Sequence, residues 1–72
     1  MTYLELLNKA LAEEIEAIRL YLACMAMAPE SDMNKLLEIN ADETDHAAII
    51  ATLISAQTGE AIDYTSMVSG VD

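Results

Sequence analysis

The sequence predicts an all-α protein in which two antiparallel helices form a hairpin and two hairpins dimerise into a four-helix bundle. Three observations favour this fold. Apolar residues recur at helical spacing through two long segments, and Pro29 separates the segments. Of the 72 residues, 54% are hydrophobic, which is more than one helical hairpin can bury. We therefore expect the chain to form an oligomer, a homodimer at minimum.

Helix 1 is predicted to begin almost at the first residue. Thr2, with Glu5 three residues later, makes a capping box, and nothing interrupts the helical pattern until Pro29. In a heptad assignment, the a and d positions form an apolar seam that one carboxylate interrupts. This seam comprises Leu4, Leu7, Leu11, Glu14, Ile18, Tyr21 and Met25.

Helix 2 is predicted to follow a turn over residues 28–32 and to end near Gln57. Ser31 or Asp32 can cap its start, and Gly59 stands where a C-terminal cap is expected. The heptad seam of this helix carries two ionisable residues at its middle. The seam comprises Leu36, Ile39, Glu43, His46, Ile50 and Leu53.

The helical hairpin is expected to occupy residues 1–59 as one domain. Residues 60–72 fit either a short third helix or a tail that orders against a neighbour, and the sequence leaves both open. Further apolar residues flank the two seams, so each stripe is too wide for one partner helix and suits a four-helix arrangement. The flanking residues are Leu6, Ile15, Leu20, Leu22, Ile49 and Ile54.

Composition argues against several classes of partner. The net charge is −10 with three basic residues, so nucleic acid and anionic membrane surfaces are not expected partners. The most apolar runs are shorter than the roughly 20 residues that a membrane span needs. The single cysteine, Cys24, has no partner for an internal disulfide, and we expect a buried, inert thiol in a cytoplasmic protein.

The glutamates of the two seams are predicted to face each other. Glu14 is fifteen residues before Pro29 and Glu43 is fourteen residues after it, so a fold at the turn brings them to the same height. His46 lies three residues beyond Glu43 and therefore on the same face of helix 2. Ionisable groups in an apolar stripe are strongly destabilising unless something compensates their charge.

A bound metal is the compensation that fits these residues best. No side-chain cation is expected beside the carboxylates, because Lys9, Arg19 and Lys35 lie off the seams. Two hairpins related by a two-fold axis offer four carboxylates and two imidazoles, the set that di-iron carboxylate bundles use. Such ligands suit iron or manganese better than structural zinc. Taken singly, His46 also fits an interfacial histidine, and Glu14 a polar residue that sets helix register.

Two segments carry a family resemblance. Residues 13–21, Glu-Glu-Ile-Glu-Ala-Ile-Arg-Leu-Tyr, and residues 42–47, Asp-Glu-Thr-Asp-His-Ala, resemble the ferritin-like superfamily, in particular the rubrerythrins and the two-helix encapsulated ferritins. The resemblance spans about residues 4–57 and depends on Glu-x₆-Tyr in helix 1 and Glu-x-x-His in helix 2. One departure is Leu20, where encapsulated ferritins often have tryptophan. The resemblance implies a ferritin-like four-helix bundle with a di-iron site built across a subunit interface.

The same resemblance implies a role for each motif residue. The implied metal ligands are Glu14, Glu43 and His46. Tyr21 takes the position of a catalytic tyrosine outside the ligand set, two turns from Glu14 on the same face of helix 1. Outer carboxylates that lead iron inward correspond to Glu13 and Glu16. The implied cofactor is a di-iron centre, with manganese as the alternative metal.

The expected function is that of a ferroxidase, which oxidises Fe(II) to Fe(III) in iron storage or detoxification. The resemblance also implies assembly into a ring and enclosure in an encapsulin shell within the cytoplasm, although no segment of the chain resembles an encapsulin-docking peptide. Two alternatives stay open. One is rubrerythrin-like peroxide reduction with an external electron donor, because rubredoxin-type cysteines are missing. The other is a non-catalytic helical oligomerisation module.

Overall fold

The computed structural model describes residues 1–63 of the chain. It contains two α-helices, α1 over Tyr3–Met27 and α2 over Glu30–Thr58, which pack against each other as an antiparallel hairpin. The predicted all-α hairpin is therefore confirmed. The pairing of two hairpins stays a prediction. Of the predicted third helix or tail, residues 64–72 lie outside the described residues.

The start of α1 is fixed by the predicted capping box. The Thr2 hydroxyl oxygen accepts a hydrogen bond from the main-chain N–H of Glu5 at 3.1 Å, and the Thr2 N–H donates to Glu5 Oε1 at 2.9 Å. These two bonds satisfy main-chain donors that have no partner inside the helix. The chain therefore becomes helical from Tyr3 onward.

The connection between the helices is shorter than predicted. Only Ala28 and Pro29 lie between α1 and α2, and Pro29 occupies the N-cap position with no side-chain hydrogen bond. Because proline lacks an N–H and its ring fixes φ near the helical value, a helix can begin directly after it. The prediction that Ser31 or Asp32 caps α2 is wrong, since both lie within its first turn.

The end of α2 is set by Gly59. This glycine adopts the left-handed conformation, with φ 76° and ψ 7°, and its N–H donates to the Ser55 carbonyl oxygen at 2.7 Å. A residue with a Cβ atom is strained in that conformation, so glycine is favoured. The predicted cap is confirmed, and α2 extends to Thr58, one residue beyond the predicted end. The chain then returns so that Ile62 packs against the core.

The hydrophobic core lies between the two helices. All the seam residues predicted for α1 are buried or half-buried, which confirms that seam. Each large aliphatic side chain in the core contributes about 1.5–3 kcal/mol through the area it removes from water. The buried residues are Leu7, Leu11, Ile15, Ile18, Ala47, Ala51 and Ile54.

The buried stripe of α2 differs from the predicted one. Ile39, His46 and Leu53 were expected on the seam, but all three are exposed. The reason is the rotation of α2 about its own axis. The e positions of its heptads face α1, and the d positions, one residue earlier, face solvent. The residues that α2 buries or half-buries along this stripe are Leu36, Asn40, Glu43, Ala47, Ile50 and Ile54.

One side of the hairpin is consequently apolar and open to solvent. Glu14 and His46 contact each other across the seam and so mark the same side of the hairpin. On α1, Tyr3 lies about 20° and Leu6 about 80° around the helix from Glu14. On α2, Ile39 and Leu53 lie seven residues either side of His46, about 20° from it, so all four are within a quarter turn of that side. Their exposed fractions run from 37% to 55%. We call this surface the open face; it comprises Tyr3, Leu6, Ile39, His46 and Leu53.

Other expectations have mixed outcomes. Of the apolar residues that flank the seams, Ile15 and Ile54 are buried, whereas Leu6, Leu20, Leu22 and Ile49 are exposed in the single chain. The predicted buried thiol is wrong, because Cys24 falls just outside the seam of α1 and is exposed. Neither α1 nor α2 has a stretch long and apolar enough to cross a bilayer.

Candidate metal centre

Glu14, Glu43 and His46 converge at the middle of the hairpin. One potential ligand atom from each, a carboxylate oxygen or an imidazole nitrogen, lies within 4.8 Å of the other two. Glu14 comes from α1, and the other two residues come from successive turns of α2. Their meeting confirms the predicted match in height, since equal distances from Pro29 bring both glutamates to one level.

The donor set fits a divalent cation. A transition-metal ion lies roughly 2 Å from each oxygen or nitrogen ligand, so it bridges donors that are up to about 4 Å apart. Donor atoms within 4.8 Å of one another therefore need only small side-chain movements to share one ion. Two carboxylates and one imidazole leave coordination positions open, because iron and manganese usually take more than three ligands.

Burial decreases from the seam toward the open face. The Glu14 side chain is 24% exposed, whereas that of His46 is 55% exposed, and Glu43 is half-buried. Glu14 Oε2 is buried and has no hydrogen-bond partner among residues 1–63. A buried carboxylate oxygen without a donor is unfavourable, so this atom has an unmet need for a proton or a cation.

The electrostatics of the group centre on Glu14. The adjoining Glu43 carboxylate, followed by burial, raises the pKa of Glu14 above its ordinary value, while His46 opposes the rise. Two carboxylates can share a hydrogen bond only when one of them holds a proton, so Glu43 favours the protonated form of Glu14. His46 Nδ1 lies 3.6 Å from Glu14 Oε2, too far for a hydrogen bond but close enough for an ion pair when His46 is protonated.

The other predicted site residues lie outside this group. Tyr21 is half-buried, seven residues from Glu14 and on the same side of α1, about 10 Å along the axis. Within residues 1–63, no hydrogen bond joins its hydroxyl to Glu14 or Glu43, so its role stays a prediction. Glu13 and Glu16 are exposed on α1, and the group of converging donors includes neither.

Asn40 is a polar residue of the seam that the sequence prediction missed. Its side-chain Oδ1 is buried and lacks a hydrogen-bond partner in the described part of the chain. Ile39 was expected at this place, and the rotation of α2 puts Asn40 there instead. The available signal was helical spacing, because Leu36, Asn40 and Glu43 lie four and three residues apart on one face.

Comparison with protein-family models, with curated proteins and with solved structures gives no match. The fold and the site define the class of protein: an all-helical hairpin that carries a Glu–Glu–His group able to hold a metal ion.

Proposed function

We propose that the protein is a ferroxidase that oxidises Fe(II) at a site completed by a second copy of the chain. The observation that carries this proposal is the convergence of Glu14, Glu43 and His46, where a buried oxygen of Glu14 has no hydrogen-bond donor among residues 1–63. All three basic residues of the chain are exposed. Lys9 and Arg19 lie five residues either side of Glu14, about 140° around α1 from it. Lys35 lies eight residues from Glu43, about 12 Å along α2. A cation from solution is therefore the natural partner of the carboxylates.

The open face supports the involvement of a second copy. Its apolar residues flank the site on both helices, and burial of such side chains against an identical face favours association. The site lies on that face between Ile39, toward the turn, and the other three apolar residues, toward the termini. A two-fold axis through the site would double the donor set to four carboxylates and two imidazoles. This is the ligand set of di-iron carboxylate bundles. Two divalent cations would balance the charge of four carboxylates.

Each site residue has a distinct task in this proposal. Glu14 and Glu43 bind the cations through hard oxygen atoms, and cation binding favours the deprotonated form of both carboxyls. His46 coordinates in its neutral form and leaves positions free for the oxidant. Fe(II) is the substrate: two Fe(II), one dioxygen and two protons give two Fe(III) and one hydrogen peroxide. Glu14 Oε2 is buried in the seam, whereas the Glu14 side chain as a whole is 24% exposed.

The sequence motifs support iron as the metal. Residues 13–21 and 42–47 resemble the corresponding segments of rubrerythrins and encapsulated ferritins, which use iron. Manganese shares the preference for oxygen-rich ligands and is the alternative. The same resemblance proposes Tyr21 as a tyrosine that tunes the site, Glu13 and Glu16 as outer carboxylates, and an encapsulin shell as the surrounding compartment.

The decisive experiment is Fe(II) oxidation by the purified protein in air, followed by the ferric absorbance, with solution mass measured in parallel. We expect saturable oxidation well above the spontaneous rate and an increase in mass from monomer to dimer on addition of Fe(II). Oxidation no faster than in buffer would contradict the proposal. A marked preference for hydrogen peroxide over dioxygen would instead favour the rubrerythrin-like peroxide reductase.

A second candidate is a non-catalytic oligomerisation module. The contact between His46 and Glu14 favours it, since a protonated imidazole can compensate a carboxylate without any metal. The two candidates differ in their response to cations. An identical oligomeric state and melting temperature with and without Fe(II) or Mn(II) would support the module, whereas metal-dependent assembly supports the ferroxidase.

A further inference from the structure

Asn40 occupies a position on the buried stripe of α2 that helical packing would fill with an apolar side chain. Along the stripe, half-buried Leu36 precedes it and Glu43 of the metal centre follows it, and the next residue, Ala47, packs in the core with aliphatic residues of α1. Asn40 is half-buried, and its Oδ1 is buried without a hydrogen-bond partner among residues 1–63. A buried polar atom without a partner lowers the stability of the fold, so its presence calls for a compensating ligand or water.

The position of Asn40 ties it to the metal centre. It lies three residues before Glu43, so the two side chains share one face of α2 in adjacent turns. Only two buried side-chain oxygen atoms of residues 1–63 lack a partner, Asn40 Oδ1 and Glu14 Oε2. Glu14 belongs to the converging donors and Asn40 adjoins them, so both unmet acceptors occur in one region of the seam.

The chemistry of the amide differs from that of the carboxylates. An amide oxygen is a neutral acceptor, and it binds water hydrogens without adding to the repulsion between Glu14 and Glu43. Water bound to a divalent cation is a strong hydrogen-bond donor, and outer groups that hold such water or orient ligands change metal affinity about 10–100-fold. Asn40 therefore supplies a neutral hydrogen-bond acceptor for the water of a partly hydrated cation, on the side of the site nearer the hairpin turn.

We propose that Asn40 is a positioning residue of the metal centre, whose Oδ1 accepts a hydrogen bond from hydration water of the bound cation. This inference depends on the proposed metal-binding function and deepens it. Asn40 thus has two opposite effects. It destabilises the metal-free hairpin, and it strengthens the binding of the hydrated cation.

The test uses cobalt(II) as the probe, with calorimetric titration, the visible absorption of the bound ion and thermal unfolding of the metal-free protein. Asn40→Leu removes the acceptor while keeping a similar volume, and Asn40→Asp keeps an oxygen at the same place. Asn34→Leu, at an exposed position of α2, is the matched control. Far-ultraviolet circular dichroism checks that each variant is helical.

We expect Asn40→Leu to raise the melting temperature of the metal-free protein, weaken cobalt binding roughly tenfold and change the visible spectrum. Asn40→Asp should retain binding, and Asn34→Leu should match the wild type in both affinity and spectrum. A merely structural role would change the melting temperature and leave the spectrum alone.

Two negative results have different meanings. If wild-type protein binds cobalt and Asn40→Leu binds it with the same affinity and spectrum, the inference about Asn40 is wrong while the metal centre stands. If wild-type protein binds no cobalt, the proposed function fails, and the role of Asn40 fails with it.

Discussion

His46 Nδ1 lies 3.6 Å from Glu14 Oε2 across the helical hairpin. The imidazole is exposed on the open face. The carboxylate oxygen is buried and has no hydrogen-bond donor among the described residues. The distance is too long for a hydrogen bond and suits two ligands of one ion after a small movement. This pair joins α1 to α2, so it couples any bound cation to the packing of the hairpin.

Removal of either member of this pair should abolish the proposed activity. We expect Glu14→Ala and His46→Ala to lower the initial rate of Fe(II) oxidation by more than the roughly 10–100-fold that loss of an outer group causes. Metal-dependent dimerisation should weaken as well, because both residues adjoin the proposed interface. Ferric absorbance and solution mass measure the two effects. Glu38→Ala, which removes an exposed carboxylate of α2 outside the proposed site, is the control. If either Glu14→Ala or His46→Ala oxidises Fe(II) at the wild-type rate, the residue substituted in that variant is not part of the metal centre.

The helix boundaries and the height of the site were predictable because their causes are local. Thr2 and Glu5 form a cap within one turn, and Gly59 meets a backbone requirement that few other residues satisfy. The alignment of Glu14 with Glu43 follows from counting residues on each side of Pro29. Ser31 was misassigned because proline can start a helix without a side-chain cap.

The rotation of α2 about its axis was not predictable from the heptad pattern. The positions of Ile39 and Asn40 differ by one residue, about 100° around the helix. Which of them faces α1 depends on packing across the whole interface. The sequence offered apolar Ile39 as the natural choice, but Ala47 and Ile54, on the same line as Asn40, bury better against α1. Tertiary packing therefore decided where Asn40 lies.

Acid should stabilise the metal-free protein. In the folded chain the pKa of Glu14 is raised above 4.5, chiefly by Glu43, so the folded state binds this proton more tightly than the unfolded state. The resulting stabilisation is complete below pH 4.5 and is lost as pH rises through the folded-state pKa. The free energy of unfolding should thus increase as pH is lowered from 7 toward 4.5, as measured by urea titration at several pH values.

Glu14→Gln is the control for this pH dependence. It removes the titrating group and leaves every other carboxylate in place, including Glu5, whose lowered pKa acts in the opposite direction. The variant should show a flatter dependence than the wild type. Equal slopes for the two proteins would exclude Glu14 as the source.

Neutralising Glu43 should relieve the site when metal is absent. Glu43→Gln removes the largest cause of the raised pKa of Glu14, and its new amide can donate a hydrogen bond to the carboxylate. We expect the pKa of Glu14, followed by carboxyl resonances in NMR, to fall toward its ordinary value. Stability of the metal-free protein at neutral pH should rise by about 1 kcal/mol. A loss of stability would contradict the inference that repulsion between Glu14 and Glu43 destabilises the metal-free protein.

The two helix starts should respond differently to loss of a hydroxyl. Thr2→Ala breaks the capping box and should lower the free energy of unfolding by about 1 kcal/mol. Ser31→Ala, within the first turn of α2, should be nearly neutral, because Pro29 occupies the cap position without help from Ser31. Chemical denaturation of both variants measures the difference. A comparable loss in Ser31→Ala would show that α2 is capped by its serine.

The open face should be required for association but not for the hairpin itself. Leu53 is 42% exposed on that face, whereas Leu37, 51% exposed, lies about 160° away around α2. Leu53→Ser should therefore weaken dimerisation, seen as a larger dissociation constant in analytical ultracentrifugation, while helical content stays unchanged. Leu37→Ser should leave the dimer intact, because Leu37 lies on the opposite side of α2. It is a fair control, since both substitutions remove a similar apolar area from an exposed position. If Leu37→Ser weakens the dimer more than Leu53→Ser, the copies associate through the opposite side, and the carboxylates of two chains cannot combine into one metal centre.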